Sequence, residues 1–253
     1  MYFNIKNEVI MRCFFYENKI KLGLHSTNDL PTSEKNHIFK VLRAKSGTEI
    51  LLNNGKGTLA KCTILNKSEF EISDIINFEK PQKEIHLFVA PPKKNSLDII
   101  LKQAVEAGVS SINLLKTERS VAVPKGEKYK QQLITKLKEA CKQAHNPFLP
   151  DVSIEISLNE LEKDSSKYNE MYFGSTENCS EFYNSEHESS CKRIQTNSIH
   201  AKFAWIVGPE GGFSENEYSF LKKTATPIQI GKWILRVETA CIAGIIIIQN
   251  KYF

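Results

Sequence analysis

No two of the six cysteines stand in C-x-x-C spacing; Cys13, Cys62, Cys141, Cys179, Cys191 and Cys241 are scattered along the chain. That argues against a zinc ribbon, a thioredoxin-like redox centre or a disulfide framework, and favours free thiols in a reducing cytosol. Long apolar runs are lacking as well. The greasiest stretch, Ile245 to Ile248, has Arg236 and Glu238 just upstream and Lys251 just after it, and is too short to span a bilayer. The opening residues carry no signal-peptide pattern, so a cytoplasmic protein without a membrane segment is expected.

Catalytic signatures are scarce too. The chain has no P-loop, no G-x-S-x-G elbow, no H-E-x-x-H and no deaminase zinc motif, which sets aside the commonest nucleotidases, hydrolases, metalloproteases and base deaminases. His187-Glu188-Ser189-Ser190-Cys191 fails the metalloprotease spacing. Cys179, His187, Cys191 and His200 share one polar stretch, but their spacing matches no zinc pattern, and no metal is expected. His37 and His145 stand alone and read as solvated or structural.

What is present is enough for a real core. The 253 residues, 41% of them hydrophobic, make one large α/β domain or two smaller ones. The net charge of +5 is mildly basic. Acidic residues far outnumber basic ones between Asp151 and Glu188, so the positive excess sits elsewhere and gives mild support to a nucleic-acid-facing surface.

The first ten residues, 1–10, read as a possible N-terminal extension before Met11. From Arg12 the pattern is mostly β: CFFYE, a helix capped near Thr32 or Ser33 with His37, Ile38, Val41 and Leu42, then strands at 49–53, 58–65 and 70–76. The turn Asn54-Gly55-Lys56-Gly57 joins the first two of these strands as a hairpin. A small β-barrel over 11–80 is the expectation. Pro81 to Lys83 looks like a linker, because from 84 to 253 strands and helices alternate. Strands are expected at 85–90 and 112–115. Asn95 or Ser96 caps a helix carrying Leu97, Ile100, Leu101, Ala104 and Val105, and a second helix runs from about Tyr129 to Ala144. From 157 to 202 the chain is polar and mostly loop, apart from Met171-Tyr172-Phe173.

Two glycine loops follow strands in the last quarter. Ala204-Trp205-Ile206-Val207 runs into Gly208-Pro209-Glu210-Gly211-Gly212, after which Ser214 and Glu217 form a capping box. Pro227 to Ile230 leads into Gly231-Lys232-Trp233-Ile234-Leu235-Arg236, and then a helix apolar on most sides begins near Glu238. In open α/β sheets ligands bind beyond the carboxyl ends of strands, and a third such end is Phe173-Gly174-Ser175-Thr176. Backbone groups exposed there suit a purine edge and ribose, with apolar Ile206, Ile230 and Leu235 flanking a flat ring. The same glycines, Gly208, Gly211 and Gly231, serve equally well as tight turns, and residue chemistry leaves the two readings level.

IVGPEGGFSENE together with IGKWILRVETA closely resembles the last two motifs of the bacterial small-subunit ribosomal RNA uridine N3-methyltransferases, the RsmE type of the SPOUT superfamily. MRCFFYE, HIFKVLR with the glycine turn, and VAPPKKNSLDIILKQAVEAGV with KTERS are similar to that family's earlier segments, so the likeness covers nearly the whole chain. It implies an α/β fold: a trefoil-knotted methyltransferase domain behind a PUA-like, RNA-docking β-barrel. It also implies S-adenosylmethionine as cofactor, a homodimer, and 16S ribosomal RNA or the small subunit as partner. Another base, a ribose 2'-hydroxyl, or plain RNA binding without catalysis are the alternatives.

Carried over by the resemblance, the cofactor contacts become Gly174, Ser175 and Thr176; Ile206, Gly208, Pro209, Glu210 and Gly211; and Ile230, Gly231 and Leu235. Arg236 and Arg119 suit stabilisation of the uridine imide anion, since arginine stays charged and presents a planar donor fork. Glu238 reads as a base, as an orienter of Arg236, or as a helix-start carboxylate. Arg12, Arg43, Lys56, Lys93, Lys94 and Lys142 are candidate phosphate contacts, each of which reads equally as a solvated charge. Two departures stand out: Val237 occupies the place of the family's usual threonine, and His145-Asn146-Pro147-Phe148 replaces a segment that often holds an arginine.

Overall fold

Strand-forming segments divide between two sheets of different grammar, one mixed and one parallel. The computed structural model describes residues 11–16, 27–30, 32–92, 94–121, 125–176 and 200–253. The possible extension 1–10, Lys93, and the Cys179, His187 and Cys191 group lie outside the described residues. Two compact units are formed: one reaches to Lys80 and adds Cys141–Leu149, the other comprises Pro81–Ala140 and Pro150–Phe253.

In the first unit, β1 (Cys13–Phe15), β2 (Thr27–Asp29), β3 (Glu49–Asn53), β4 (Thr58–Ile64) and β5 (Glu69–Asn77) make a five-stranded sheet in the order β1-β3-β4-β5-β2. Alternating apolar residues place Phe14, Ile50, Leu52, Phe70 and Ile72 in one core. The β3–β4 turn forms as its residues require. Asn54 Oδ1 accepts the backbone N–H groups of Lys56 at 2.7 Å and Thr58 at 3.0 Å, and Gly57 sits at φ +100, a left-handed conformation that favours glycine.

The segment 141–149 packs on this turn. Gly57 N donates to Pro147 O and Leu149 N to Gly55 O, both at 2.9 Å, while Asn53 Nδ2 donates to Asn146 O at 2.7 Å.

The helix after β2 changes its winding part-way. After α1 (Thr32–Asn36) the chain widens into a π-turn, His37–Val41, with Leu42 N bonded to His37 O at 2.9 Å. That i→i+5 bond breaks the 3.6-residue period. Ile38 stays buried, whereas Val41 is 63% exposed.

The second unit holds β6 (Lys83–Val89), α2 (Lys94–Glu106), β7 (Ser111–Lys116), α3 (Glu127–Ala144, shared with the first unit), β8 (Asp151–Ser157), α4 (Leu158–Lys163), β9 (Glu170–Gly174), β10 (Ala201–Val207), α5 (Glu215–Leu221), β11 (Thr226–Ile228) and α6 (Val237–Tyr252). Every strand pair in its sheet is parallel, in the order β11-β9-β10-β6-β7-β8. Near-continuous apolar strands such as Phe203 to Val207 are what a sheet covered on both faces needs. This is an α/β architecture.

Two local readings shift. α2 already begins at Lys94, so Asn95 and Ser96 lie in its first turn rather than capping it. α4, just after β8, also occupies a stretch whose composition reads as loop. There Ser157 and Glu160 form a reciprocal capping box, with Glu160 N to Ser157 Oγ at 3.2 Å and Ser157 N to Glu160 Oε2 at 2.8 Å.

Helix α6 is fixed against β10. Trp205 Nε1 donates to Ala240 O at 3.1 Å, and a Cβ on Gly244 would fall 2.0 Å from Trp205 Cε2. Only a residue without a side chain lets the helix lie over that indole. No described helix is long and apolar enough to cross a membrane.

Candidate active site

Sheet order decides which strand ends meet. β9 lies between β11 and β10, with Gly174 level with Ile228 and Phe173 level with Ile206. The loops after these three strands therefore converge on one cleft of about 1010 Å³ within the second unit. Gly174, Ser175 and Thr176 line it from β9, and Gly208, Pro209, Glu210 and Gly211 from β10. Ile230, Gly231 and Leu235 line it after β11, and Arg236 and Glu238 at the start of α6. Arg119, from the loop after β7, closes another side.

Ile206 is a correction. It is fully buried in the core with Phe173 and Ala204, because alternation along β10 turns it away from the loop. Val207 lines the cleft in its place.

The wall made by 208–214 is held from several directions. Glu217 is buried, and its carboxylate accepts Ser214 N at 2.9 Å and Glu118 N at 2.8 Å. Ser214 Oγ accepts Glu217 N at 3.3 Å, which completes the expected capping box. The N-terminus of α5 is thus already neutralised by a carboxylate. Arg119 Nη1 donates to Gly211 O at 2.9 Å and Phe213 O at 3.4 Å. The ring of Phe213 packs under Gly208, where a Cβ would come within 3.0 Å of it.

Tyr218 hydroxyl meets Ser175 Oγ at 3.0 Å, tying α5 to the end of β9. Residue patterning does not single out Tyr218, and it shows only the capping half of what Glu217 does. The helical offset of Tyr218 from Ser214 was the one available signal.

α6 starts differently from α5. Its N-cap is Arg236, in extended geometry (ψ 155), and no side chain caps the helix. A 16-residue helix therefore presents its positive end, together with the exposed guanidinium of Arg236, to the cleft. Glu238 sits in its first turn, half-buried.

The candidate phosphate contacts fare unevenly. Arg12, Arg43 and Lys56 are exposed on the first unit, and Arg43 holds a left-handed φ of 55 just after the π-turn. Lys142 is a correction: it is 7% exposed and its ammonium lies 3.2 Å from Glu34, so a phosphate would have to displace a buried ion pair. Lys94 opens α2. Among the described residues, no cluster of His, Cys, Asp and Glu suits a metal ion.

A family model described as an RNA methyltransferase domain matches residues 78–249, and one described as an RNA methyltransferase PUA domain matches 30–75. The chain belongs to the RNA methyltransferase domain family. Among its relatives, ribosomal RNA small subunit methyltransferase E 2 of Borreliella burgdorferi is 29% identical over 81% of this chain and 84% of that protein. Ribosomal RNA small subunit methyltransferase E of Aquifex aeolicus is 27% identical over 84% and 90%. Family membership extends to tertiary structure. The crystal structure of a ribosomal RNA small subunit methyltransferase E from Neisseria gonorrhoeae bound to S-adenosyl methionine superposes with a TM-score of 0.79, at 25% identity, over 96% of this chain and 98% of that one.

Proposed function

We propose that this chain transfers a methyl group from S-adenosylmethionine to N3 of a uridine in small-subunit ribosomal RNA. The carrying observation is the convergence of the β9, β10 and β11 loops with Arg236 on one cleft, in a member of the RNA methyltransferase domain family. The relatives named as small-subunit ribosomal RNA methyltransferases support the substrate class.

The cleft suits that cofactor. Its volume of about 1010 Å³ lies at the upper end of small-molecule sites. Ile228, Ile230 and Leu235 offer apolar flanks, and the Glu210 carboxylate matches a positively charged sulfonium rather than a phosphate. Residues 174–176 and 208–211, with Ile230, Gly231 and Leu235, would hold it through backbone groups and these side chains. Once bound, it supplies an electrophilic methyl carbon.

The protein's own tasks are positioning and charge. Uridine N3 must lose its proton and carry negative charge. Arg236 and the uncapped start of α6 stabilise that anion, and Glu238 is assigned the proton. Arg119 spends its guanidinium on Gly211 O and Phe213 O, so its assigned role is to hold the loop.

Arg12, Arg43 and Lys56 are assigned to RNA phosphates, on a PUA-like unit acting in the cytoplasm. A homodimer is part of the same reading. Exposed Ile99 on α2 and Ile246 on α6 lie on helices packed against each other and support an apolar contact there.

Nucleoside mass spectrometry of ribosomal RNA from a deletion strain tests the reading. Loss of 3-methyluridine, restored by the gene, is the expected result. Loss of a ribose-methylated nucleoside instead would overturn it.

A further inference from the structure

The cleft has a wall and a mouth of different chemistry. Its wall is glycine-rich backbone and buried apolar groups, including Gly208, Pro209 and Ile228. Its mouth carries Trp233 and Ile234, which are 78% and 85% exposed. A globular chain rarely leaves an indole in water, since burying so large an apolar ring is strongly favourable. The other tryptophan, Trp205, is 1% exposed.

Trp233 is also paired with charge. The ammonium of Lys232 lies 5.5 Å from the ring centroid, and Arg236 lines the same cleft three residues on. An aromatic face beside cations is the arrangement that binds an unstacked base and its phosphate: the ring stacks, the cations take the backbone. A contact between two copies of this chain would instead have to desolvate Lys232 along with the ring. The cleft also exceeds what one nucleoside fills, so a second planar ring can sit at the mouth.

We infer that Trp233 is a stacking platform for a nucleobase of the RNA substrate, with Lys232 holding the adjoining phosphate. This rests on the RNA methyltransferase reading above. It adds a substrate subsite, distinct from the cofactor contacts, in the segment between β11 and α6. Ribosomal RNA must lose stacking to deliver a base into any protein cleft, and an indole at the entrance replaces part of that lost stacking.

The test uses the full-length protein and its two tryptophans. Small ribosomal subunits from the deletion strain serve as substrate, and a uridine-containing single-stranded RNA serves as binding probe with S-adenosylhomocysteine present. Trp233→Ala is expected to raise KM for the subunits about tenfold, with kcat changed less and the Kd for S-adenosylmethionine unchanged. Trp233→Phe should recover most of the loss. The RNA should quench Trp233 emission and shield it from acrylamide, whereas S-adenosylhomocysteine alone should not.

An unchanged KM in Trp233→Ala overturns the inference. So does equal shielding by the cofactor product alone, which would place the ring on the cofactor. A ring already shielded in the free protein, in a dimer that Trp233→Ala dissociates, overturns it in favour of a copy interface. If the wild-type protein transfers no methyl group yet RNA still quenches Trp233, stacking stands and the enzymatic reading falls. If neither occurs, both fall.

Discussion

Glu217 accepts the backbone N–H of Glu118 at 2.8 Å, across a separation of 99 residues. The same carboxylate accepts Ser214 N, so one buried side chain joins the loop that carries Arg119 to the loop that walls the cleft. Arg119 bonds back to Gly211 and Phe213. Glu217→Ala leaves two backbone donors without that acceptor, at a cost of about 2 kcal/mol. Calorimetric melting should show a lowered Tm, and titration should show weaker binding of S-adenosylmethionine. Glu217→Gln, which keeps one acceptor oxygen, should recover part of both. An unshifted Tm would show the bracket to be idle.

Gly244 and Gly231 should part company when each is changed to alanine. At Gly244 the new Cβ would lie 2.0 Å from the Trp205 ring, and the helix must shift. A loss of about 3 kcal/mol or more is expected in denaturant unfolding. At Gly231 nothing lies within 4 Å and φ is not in the left-handed region, so stability should stay within about 0.5 kcal/mol of wild type. If Gly231 holds the cofactor together with Ile230 and Leu235, Gly231→Ala still lowers its affinity; unchanged affinity would leave this glycine to the turn alone.

Arg236→Ala tests the assignment of charge. It removes the guanidinium from the start of α6 but no cap bond, because Arg236 makes none with its side chain. A fall in kcat of about 100-fold is expected, with the Kd for S-adenosylmethionine within about twofold of wild type. A fully active variant would remove Arg236 from the chemistry.

Alkali should destabilise the first unit. Burial pushes the thiols of Cys13, Cys62 and Cys141 up from 9.0 to about 12. In the unfolded chain these groups ionise near 9.0, whereas in the folded chain they stay neutral. Folding is therefore favoured fully below that value and progressively less as pH rises toward 12. Melting curves at pH 8, 9 and 10 should show Tm falling above 9, with a shallower slope for Cys62→Val. The same protonation predicts slow reaction of these thiols with maleimide in native protein at pH 7, followed by mass spectrometry.

Much of the local architecture was readable in the residues. Period-two alternation marked β3 to β5, and the Asn54 turn announced its hairpin through glycines that need left-handed φ. Leu97, Ile100, Leu101, Ala104 and Val105 marked one face of α2, and all five are buried. Local signals failed where the deciding contact was distant. Lys142 reads as a solvated cation until Glu34 is found beside it, 108 residues away. Val41 follows the helical period in sequence, but the chain there winds as a π-turn and leaves it exposed. β8 is a miss of another kind, since Val152, Ile154 and Ile156 alternate along it in plain strand period, and Ser157 with Glu160 spelled the cap that follows it.

The site divides in the same way. The two glycine motifs, the β9 end and the capping box are contiguous strings, and turn chemistry with apolar patterning is local, so the sequence determined those elements and the family they resemble. It did not determine that they meet. That depends on β9 lying between β11 and β10 in a parallel sheet, an arrangement set by burying both faces of the sheet. Only the tertiary structure therefore turned Ile206 into the core, tied Glu217 to the Arg119 loop through Glu118 N, left α6 uncapped at Arg236, and set Trp233 in water at the mouth of the cleft.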